Sequence, residues 1–329
     1  MIFLAHFLKN SNRLIFFFPI FYFLSLIWSL IHQIRIKLGR YEKMPLPVVC
    51  VGNITLGGAG KTPTVIFLAN YLKKSNLNIH VVSRGYGGKF KNTVVVDRRH
   101  HNASDVGDEP LLISRHAKVW VSRKKRDGIL SAYKSGADIV LLDDGHQNFS
   151  IEKNISILVF DAEHNLENEQ IFPMGNLRER LSSAIIRADF FICIGSPTSR
   201  KKFKETFLQH HKPEFIEGEF KPSIIPKLRN RKLVAFCGIG RPEKFFSMLK
   251  RLNMRVFQEV SFPDHHFYTD RQLSKIFKIA DKNNALVVTT EKDYVKLSKS
   301  LKKKIYPIDI ELHLSKKERL LRELKKLVF

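Results

Sequence analysis

The residues most able to do chemistry lie in a glycine-rich stretch that ends in a lysine and a threonine. The apolar run 46–51 precedes this stretch, and residues 65–72 continue beyond it at helical spacing. Glycines let backbone N–H groups converge on an anion, and the N-terminus of a helix adds partial positive charge. The stretch predicts a nucleotide phosphate loop in which Lys61 reaches the β- and γ-phosphates and Thr62 holds Mg²⁺. The residues that would contact the nucleotide are Thr55, Gly57, Gly58, Ala59, Gly60, Lys61 and Thr62.

One position departs from the usual pattern of a phosphate loop. That pattern places a glycine six residues before the lysine, where this sequence has Thr55. The alternative is a glycine-rich turn before an ordinary helix. Because Gly60-Lys61-Thr62 falls at the junction of a predicted strand and a predicted helix, the sequence favours the phosphate site.

A pair of carboxylates follows an apolar run later in the chain. Asp143 and Asp144 come directly after residues 139–142, which are all apolar. Apolar residues that end in acidic ones are typical of a Walker B strand, whose carboxylate holds the Mg²⁺ shell. An acidic turn after a strand is the alternative. The phosphate loop earlier in the same chain favours the metal-binding interpretation.

Three further places carry candidate residues. Arg84 opens a glycine-rich loop beyond the predicted strand 79–83, where open α/β sheets place ligand contacts, but a plain surface turn is equally compatible. Asp108 lies just before a predicted helix, and an acidic helix cap is the alternative there. His265 and His266 are adjacent, which does not suit a helical metal site, so a surface pair is the better interpretation.

The elements that must position these residues alternate along the chain. The predicted strands are 46–51, 79–83, 93–96, 118–122, the apolar run 139–142, 155–161, 189–195, 232–238, 255–260, 285–289 and 304–308. Their alternation with helical stretches predicts a doubly wound, mainly parallel α/β sheet. Composition shifts towards Pro, Lys and polar residues over 196–230. We therefore expect a nucleotide-binding domain at 36–228 and a smaller α/β domain at 229–329.

Charge and cysteine usage limit the partners and the compartment. The 329 residues carry a formal net charge of +25, and the sequence pI is about 10.0. A partner with negative charge is expected: nucleic acid, an anionic membrane face or a phosphorylated substrate. The three cysteines, an odd number inside apolar runs, fit a reducing compartment better than a disulfide framework.

The N-terminal part of the chain contains an uncharged, mostly apolar stretch at 14–31. Its length is enough to cross the hydrocarbon core of a bilayer, so residues 1–35 are predicted to form a membrane anchor. A signal peptide would have a shorter apolar region and a small-residue cleavage site. A helix in the membrane plane would have a polar face, which the segment lacks. The excess of basic residues at 35–43 predicts that the large domain faces the cytoplasm.

Taken together, the motifs resemble the tetraacyldisaccharide 4′-kinase family of lipid A biosynthesis, in the family's order and over most of the chain. An extended Gly-Asn-x-Thr-x-Gly-Gly-x-Gly-Lys-Thr-Pro pattern accommodates Thr55. Two positions depart from the family pattern, His146 where Phe is usual and Asn148 where His is usual. The matching motifs are Val51-Gly52-Asn53, Gly57-Gly58-Ala59-Gly60-Lys61-Thr62-Pro63, Ser83-Arg84-Gly85-Tyr86-Gly87, Val106-Gly107-Asp108-Glu109-Pro110, Asp143-Asp144-Gly145-His146-Gln147, Leu177-Arg178-Glu179, Asp264-His265 and Thr290-Glu291-Lys292-Asp293.

The resemblance implies a two-lobed, P-loop kinase-like α/β/α fold with an active-site cleft closed by the C-terminal domain. It also implies an inner-membrane enzyme that uses MgATP to phosphorylate the 4′-hydroxyl of a tetraacylated glucosamine disaccharide 1-phosphate. By the same resemblance, Asp108 acts as base on that hydroxyl with His265 as its partner, and Lys61 completes the catalytic set. The other implied residues are Thr62, Asp143, Asp144 and Gln147 for Mg²⁺ and phosphate, and Arg178 and Glu179, with the candidate Arg84, for the substrate.

Two functions of other classes remain open from the residues alone. A basic, nucleotide-dependent nucleic-acid-binding protein would explain the charge, but such proteins usually carry a base-reading or aromatic stacking motif, and none is found in the sequence. Nucleic acid is therefore not expected as a partner. A membrane-tethered P-loop GTPase is the other alternative. In the motif at 290–293 the Lys and Asp are adjacent, which does not match the spacing of the guanine-reading element of GTPases.

Overall fold

The computed structural model describes residues 18–163, 170–207, 214–223 and 225–328. The strands in chain order are β1 (Val48–Gly52), β2 (Ile79–Ser83), β3 (Val94–Val95), β4 (Lys118–Val121), β5 (Ile139–Asp143), β6 (Ile155–Asp161), β7 (Phe190–Ile194), β8 (Glu214–Ser223), β9 (Lys232–Cys237), β10 (Arg255–Ser261), β11 (Ala285–Thr290) and β12 (Ile305–Ser315). The helices are α1 (Phe18–Lys37), α2 (Lys61–Lys73), α3 (Ala103–Val106), α4 (Asp108–Ile113), α5 (Lys125–Lys134), α6 (Leu181–Ile186), α7 (Pro197–Phe207), α8 (Pro242–Arg251), α9 (Asp270–Lys282), α10 (Glu291–Tyr294), α11 (Lys299–Lys302) and α12 (Glu318–Lys326).

The chain divides into two compact units. Unit 1 comprises residues 1–83, 124–219 and 312–329, and unit 2 comprises residues 84–123 and 220–311. Unit 2 therefore takes in residues 84–123, which the sequence analysis assigns to the nucleotide-binding domain at 36–228. A unit built from separated stretches of chain arises where strands and loops far apart in sequence pack together, and composition along the chain does not reveal this.

Unit 1 is built on a parallel sheet with the strand order β8-β7-β6-β1-β5-β2. Every residue of β1, β5, β6 and β7 is buried. Parallel strands covered on both faces are continuous apolar runs rather than alternating ones, which is the pattern that predicted them. The carboxyl ends of β1 and β5 lie side by side, since Val51 pairs with Asp143. The predicted doubly wound, mainly parallel fold is confirmed.

Unit 2 has its own parallel strands in the order β10-β9-β11-β12. Helices α8 and α9 bury apolar residues against them. Residues 84–123 contribute the antiparallel pair β3–β4 and the short helices α3 and α4.

Four elements differ from the sequence-based prediction. Strand β8 and helix α7 lie in the region 196–230, where only a change of composition was noted, because their many lysines and polar residues hide the usual periodicities. Strand β12 continues to Ser315 rather than ending at 308, with alternating buried positions. Helix α4 begins at Asp108 rather than after it, so Asp108 lies in the first turn of that helix.

Helix α1 is the one described helix that is long and apolar enough to cross a membrane, judged by its length and composition. The predicted segment 14–31 is described from residue 18 onward, and its first four residues lie outside the described part. The polar residues Ser25, Ser29 and His32 are buried within unit 1. The prediction that the segment lacks a polar face therefore overlooked Ser25 and Ser29, which are buried together with His32 just beyond the segment.

Candidate functional site

The loop between β1 and α2 holds Lys61 in a network of side-chain contacts. Gly57 and Gly60 have φ angles of 105° and 94°, a left-handed conformation that glycine adopts without strain. The side-chain amide nitrogen of Asn53 donates to the carbonyl oxygen of Thr55 at 2.9 Å. Its Oδ1 atom accepts a hydrogen bond from Lys61 Nζ, also at 2.9 Å. The ammonium group thus lies at the start of α2, where an anion would gain from both charge and helix N-terminus.

Asp144 lies beside this loop at the end of β5. Its Oδ1 atom is 3.6 Å from Lys61 Nζ, and both carboxylate oxygens are 3.0 Å from Nη1 of Arg178. Burial raises the pKa of Asp144, but the positive charges of Lys61 and Arg178 outweigh it and lower the pKa to about 2. The carboxylate is therefore ionised across the physiological range, as a ligand of a metal ion must be.

The neighbouring Asp143 is held more deeply. Its Oδ2 atom accepts a hydrogen bond from Ser83 Oγ at 2.8 Å, and its carbonyl oxygen accepts one from Lys125 Nζ at 2.6 Å. Asp143 is buried, whereas Asp144 is half-buried. Of the two acidic residues predicted to manage Mg²⁺, Asp144 is thus the more accessible.

Gln147 and Glu179, two further predicted site residues, contact each other. The amide nitrogen of Gln147 donates to Asn53 O and to Glu179 Oε1, each at 2.9 Å. Glu179 is fully buried and also accepts from His32 Nε2 at 3.0 Å and from Arg187. Burial raises the pKa of Glu179, but the hydrogen bond from His32 and the charge of Arg187 bring it below its usual value. Glu179 is a buried, ionised carboxylate that organises its neighbours.

In unit 2, the structure brings Asp108 and His265 into contact. His265 Nδ1 lies 2.9 Å from Oδ2 and 3.1 Å from Oδ1 of Asp108. Burial raises the pKa of Asp108, while the hydrogen bond from His265 and the positive charge of Lys292 lower it, with a net pKa below its usual value. His265 is therefore not merely half of a surface pair, which was the better interpretation of the local sequence.

Lys292 lies on the other side of the His265 ring. Its Nζ atom is 3.3 Å from His265 Nε2, 3.3 Å from Glu109 Oε1 and 3.7 Å from Asp264 Oδ1. Burial lowers the pKa of Lys292, but these acidic neighbours raise it above its usual value, so the amine is charged. Because an ammonium only donates, Nε2 of His265 must accept, and the ring proton lies on Nδ1, directed at Asp108.

The backbone around both residues is shaped for this contact. His265 has a φ angle of 59°, in the left-handed region, and its ring packs against that of Tyr86 at 5.2 Å between centroids. Gly107, just before Asp108, has a φ angle of 92°, and a Cβ atom there would come within 2.6 Å of Tyr86 O. Only glycine therefore permits the loop that carries Arg84 and Tyr86 to pack against the start of α4. Arg84 itself is exposed.

The two departures from the family pattern have different surroundings. His146 is buried with its Nδ1 atom 3.1 Å from Ser156 Oγ, and burial lowers its pKa to about 3. It is an uncharged part of the core. Asn148 is half-buried, and its side-chain oxygen accepts from the backbone nitrogen and the hydroxyl of Ser150. Asn148 therefore stabilises a local turn.

The donor set fits Mg²⁺ bound chiefly through phosphate and water. Across residues 18–163, 170–207, 214–223 and 225–328, no group of three or more His, Cys, Asp or Glu side chains could hold a metal ion. Mg²⁺ usually keeps several waters and takes one or two carboxylates together with substrate phosphates. The ionised Asp144 and the hydroxyl of Thr62, the second residue of α2, are oxygen donors of that kind.

Sequence reasoning missed three residues of these networks. Trp28 and His32 were seen only as parts of the predicted membrane anchor at 1–35, although Trp28 Nε1 donates to Arg178 O at 2.9 Å. Lys292 was noted within a motif but given no role. The helical spacing of the polar residues Ser25, Ser29 and His32 was the available signal that α1 has a face packed against protein. No local pattern in the sequence indicates the role of Lys292.

Comparisons with known proteins agree with the fold and the motifs. The model of the family LpxK, tetraacyldisaccharide-1-P 4′-kinase, matches residues 17–328. The chain is 39% identical to a tetraacyldisaccharide 4′-kinase of Paramagnetospirillum magneticum over 281 residues, which are 85% of this chain and 86% of that protein. It is 36% identical to one of Rhodospirillum centenum over 290 residues, which are 88% of this chain and 85% of that protein.

A solved structure is similar over almost the whole chain. The crystal structure of an "apo" form of LpxK from Aquifex aeolicus in complex with ATP aligns with a TM-score of 0.78 and 26% sequence identity. The alignment covers 95% of this chain and 98% of the Aquifex chain.

Proposed function

Because the chain belongs to the tetraacyldisaccharide 4′-kinase family, we propose that it transfers the γ-phosphate of ATP to the 4′-hydroxyl of a tetraacyldisaccharide 1-phosphate in lipid A biosynthesis. It is a kinase of that family. The related Aquifex protein was solved with ATP, which supports ATP as the phosphate donor here.

The phosphate loop of unit 1 supports the donor half of this reaction. Lys61 is already held by Asn53 and lies near Asp144, so its ammonium group is positioned before a nucleotide arrives. Phosphoryl transfer depends mainly on positioning and on neutralising charge, and a prearranged cation does both. Gly57, Gly58 and Gly60 would offer backbone N–H groups to the phosphates, and Arg178 would add positive charge beside them.

The pair of Asp108 and His265 carries the proposed acceptor chemistry. Asp108 would accept a hydrogen bond from the sugar hydroxyl, orient its oxygen for attack and take its proton late in the transfer, because a carboxylate is a far weaker base than an alkoxide. With its proton on Nδ1, His265 donates to Asp108 and holds the carboxylate in place. Lys292 keeps the ring in this tautomer, so the pair works as an oriented carboxylate supported by an imidazole.

Mg²⁺ is proposed as the metal partner of ATP. Asp144 and Thr62 would hold it, with Asp143 and Gln147 supporting the arrangement. When bound, the metal would neutralise charge on the β- and γ-phosphates. Asp144 needs no change of protonation for this role, since its pKa is about 2.

Attachment to the cytoplasmic face of the inner membrane is the proposed location. The exposed side of α1 is rich in large apolar residues, and Arg35 and Lys37 lie in its last turn. Apolar contact with lipid tails and electrostatic attraction to anionic headgroups would together hold the enzyme beside a lipid substrate. The formal net charge of +25 would also favour a substrate that carries phosphate.

The test is phosphate transfer by the purified full chain in detergent micelles. The assay follows labelled γ-phosphate from ATP to tetraacyldisaccharide 1-phosphate, with Lys61→Ala and Asp108→Ala as variants and Asp270→Ala, exposed at the start of α9, as control. We expect transfer by the wild type and the control and near-complete loss in both other variants. Full activity of both variants would contradict the residue roles. A wild type that does not phosphorylate this lipid but transfers phosphate to another acceptor would contradict the proposed substrate.

A further inference from the structure

Helix α1 has two faces with different surroundings. Ser25, Ser29 and His32 are spaced by four and three residues, which places them on one side of a helix, and all three are buried in unit 1. The large apolar side chains elsewhere on the helix are exposed, among them Leu30 at 59% and Ile31 at 52%. A helix that served only to hold the protein on a membrane would have no need of the buried polar face.

Helix α1 binds residues 171–179, which we call the bridging segment, through its buried face and through the 45% exposed Trp28. Ser25 Oγ donates to Ile171 O at 3.0 Å. Trp28 Nε1 donates to Arg178 O at 2.9 Å, and His32 Nε2 lies 3.0 Å from Glu179 Oε2. These bonds hold the bridging segment at both of its ends.

The same bridging segment also pairs with the phosphate loop. Leu56 N donates to Asn176 O at 2.7 Å, and Arg178 N donates to Ile54 O at 2.6 Å. Between these bonds, Thr55 and Leu177 form an antiparallel bridge. The backbone of the phosphate loop therefore rests on a segment whose other side is held by α1.

Side chains of the bridging segment continue the connection to Lys61. Arg178 binds the carboxylate of Asp144, and Asp144 lies 3.6 Å from Lys61 Nζ. Glu179 accepts from Gln147, which also donates to Asn53 O at the entrance of the loop. Both routes begin at a residue that α1 contacts directly and end at the phosphate loop.

We propose that Trp28 and His32 are positioning residues of the nucleotide site, and that α1 supports the phosphate loop through the bridging segment. The proposal deepens the proposed kinase function and rests on it for the meaning of the loop. Trp28 fixes the backbone of Arg178, and His32 partners the buried carboxylate of Glu179. Attachment to lipid belongs to the exposed side of the same helix.

Removing His32 has a clear physical cost at this place. Glu179 would lose one of its hydrogen-bond partners while remaining fully buried, and a buried charge that loses a partner relaxes towards other groups or water. The Glu179 carboxylate also contacts Gln147 and Arg187, so a shift of this carboxylate would change its contact with Gln147, which binds the phosphate loop. A glutamine at position 32 keeps an N–H donor and is the conservative replacement.

The experiment compares the two faces of α1 in the full chain, in detergent and without lipid substrate. Variants Trp28→Phe, His32→Ala and His32→Gln remove or replace side chains that contact the bridging segment. Ile31→Ala is the matched control on the exposed side. Hydrogen exchange of amides 54–62 is measured without nucleotide, and the dissociation constant of MgATP is measured next. Binding to vesicles of phosphatidylethanolamine and phosphatidylglycerol gives the attachment readout.

We expect His32→Ala to speed exchange of amides 54–62 and to weaken MgATP binding roughly fivefold to tenfold, the lower range of coupling between distant sites. Trp28→Phe should act in the same direction, and His32→Gln should restore most of the protection. Ile31→Ala should leave exchange and nucleotide affinity unchanged and weaken vesicle binding. Since hydrogen exchange needs neither ATP nor lipid, this outcome is separable from any failure of the kinase assay.

Unchanged exchange in both Trp28→Phe and His32→Ala would overturn the proposal. The same holds if Ile31→Ala loosens the phosphate loop as much as they do, because the effect would then belong to the helix as a whole. If His32→Ala does not fold, Trp28→Phe and the comparison of His32→Gln with wild type decide the matter.

Discussion

The Nδ1 atom of His265 lies 2.9 Å from Oδ2 of Asp108, although the two residues are 157 positions apart in the chain. Asp108 is 4% exposed and carries a lowered pKa, so the pair is an ionised carboxylate held by an imidazole N–H. Lys292 contacts the opposite nitrogen of the ring. The arrangement has the form of a base whose direction is set by two successive partners.

The first prediction concerns this carboxylate. Asp108→Asn keeps the shape of the side chain but removes its charge and its ability to take a proton. We expect kcat to fall by about 100- to 10,000-fold, the usual contribution of general base catalysis, with ATP affinity little changed. His265→Ala should lower kcat by less, because the carboxylate remains. Asp270→Asn is the control, and an Asp108→Asn variant with more than a tenth of wild-type kcat would contradict the assignment.

The second prediction concerns the contact between Lys292 and His265. In Lys292→Met, no ammonium donates to His265 Nε2, so the ring loses the partner that directs its Nδ1 proton at Asp108. We expect a lower kcat with the affinity for ATP little changed. Lys292→Arg keeps a cationic donor and should retain more of the wild-type kcat.

The matched control for Lys292 is Lys282→Met, which removes an exposed lysine at the end of α9. A purely structural role for Lys292 would lower the unfolding midpoint together with activity. A Lys292→Met variant with the kcat of wild type would therefore remove Lys292 from the set of positioning residues.

The third prediction tests the proposed metal residues. Asp144→Asn and Thr62→Ala should raise the Mg²⁺ concentration needed for half-maximal activity by roughly tenfold or more, since each removes one of few protein oxygens available to the ion. Because the pKa of Asp144 is about 2, the Mg²⁺ requirement of the wild type should not change between pH 6 and pH 8 through this group. Titration of activity with Mg²⁺ checks both points, with Thr206→Ala in α7 as control.

The fourth prediction concerns acid stability and His146. Its pKa is about 3 in the folded protein, against about 6.5 for an unperturbed histidine. Between these values the unfolded chain binds more protons, so stability falls as the pH falls from about 6.5 towards 3. At pH 5 this linkage costs about 2 kcal/mol relative to neutral pH.

His146→Phe, which replaces the buried imidazole with an aromatic ring that cannot bind a proton, should remove that loss. We expect its unfolding midpoint to fall less between pH 7 and pH 5 than that of the wild type, while His100→Gln, at an exposed histidine, behaves as wild type. Thermal unfolding at the two pH values gives the comparison. Equal losses in His146→Phe and wild type would mean that His146 is not the acid-sensitive group.

Much of the fold could be predicted because its signals are local. The residues of β2 and β6 are mostly apolar, since each strand is buried on both faces, and the bounds of these two strands agree with the prediction. Strand β8 and helix α7 escaped prediction because basic and polar residues dominate them. The family resemblance, drawn from motifs alone, is confirmed by the family model and by the curated relatives. The individual roles of the site residues stay predictions.

By itself, the sequence determined the phosphate loop, the family and the α/β class, because spacing within about twenty residues specifies a strand, a glycine turn and a helix start. Only the tertiary structure decided which side of His265 meets Lys292, and that α1 reaches the bridging segment through Trp28 and His32. The residues joined by these contacts are 27 positions apart for Lys292 and His265, 150 for Trp28 and Arg178, and 147 for His32 and Glu179. Such contacts follow from how strands and helices pack, and burial then makes each unpaired polar group costly enough to require its partner.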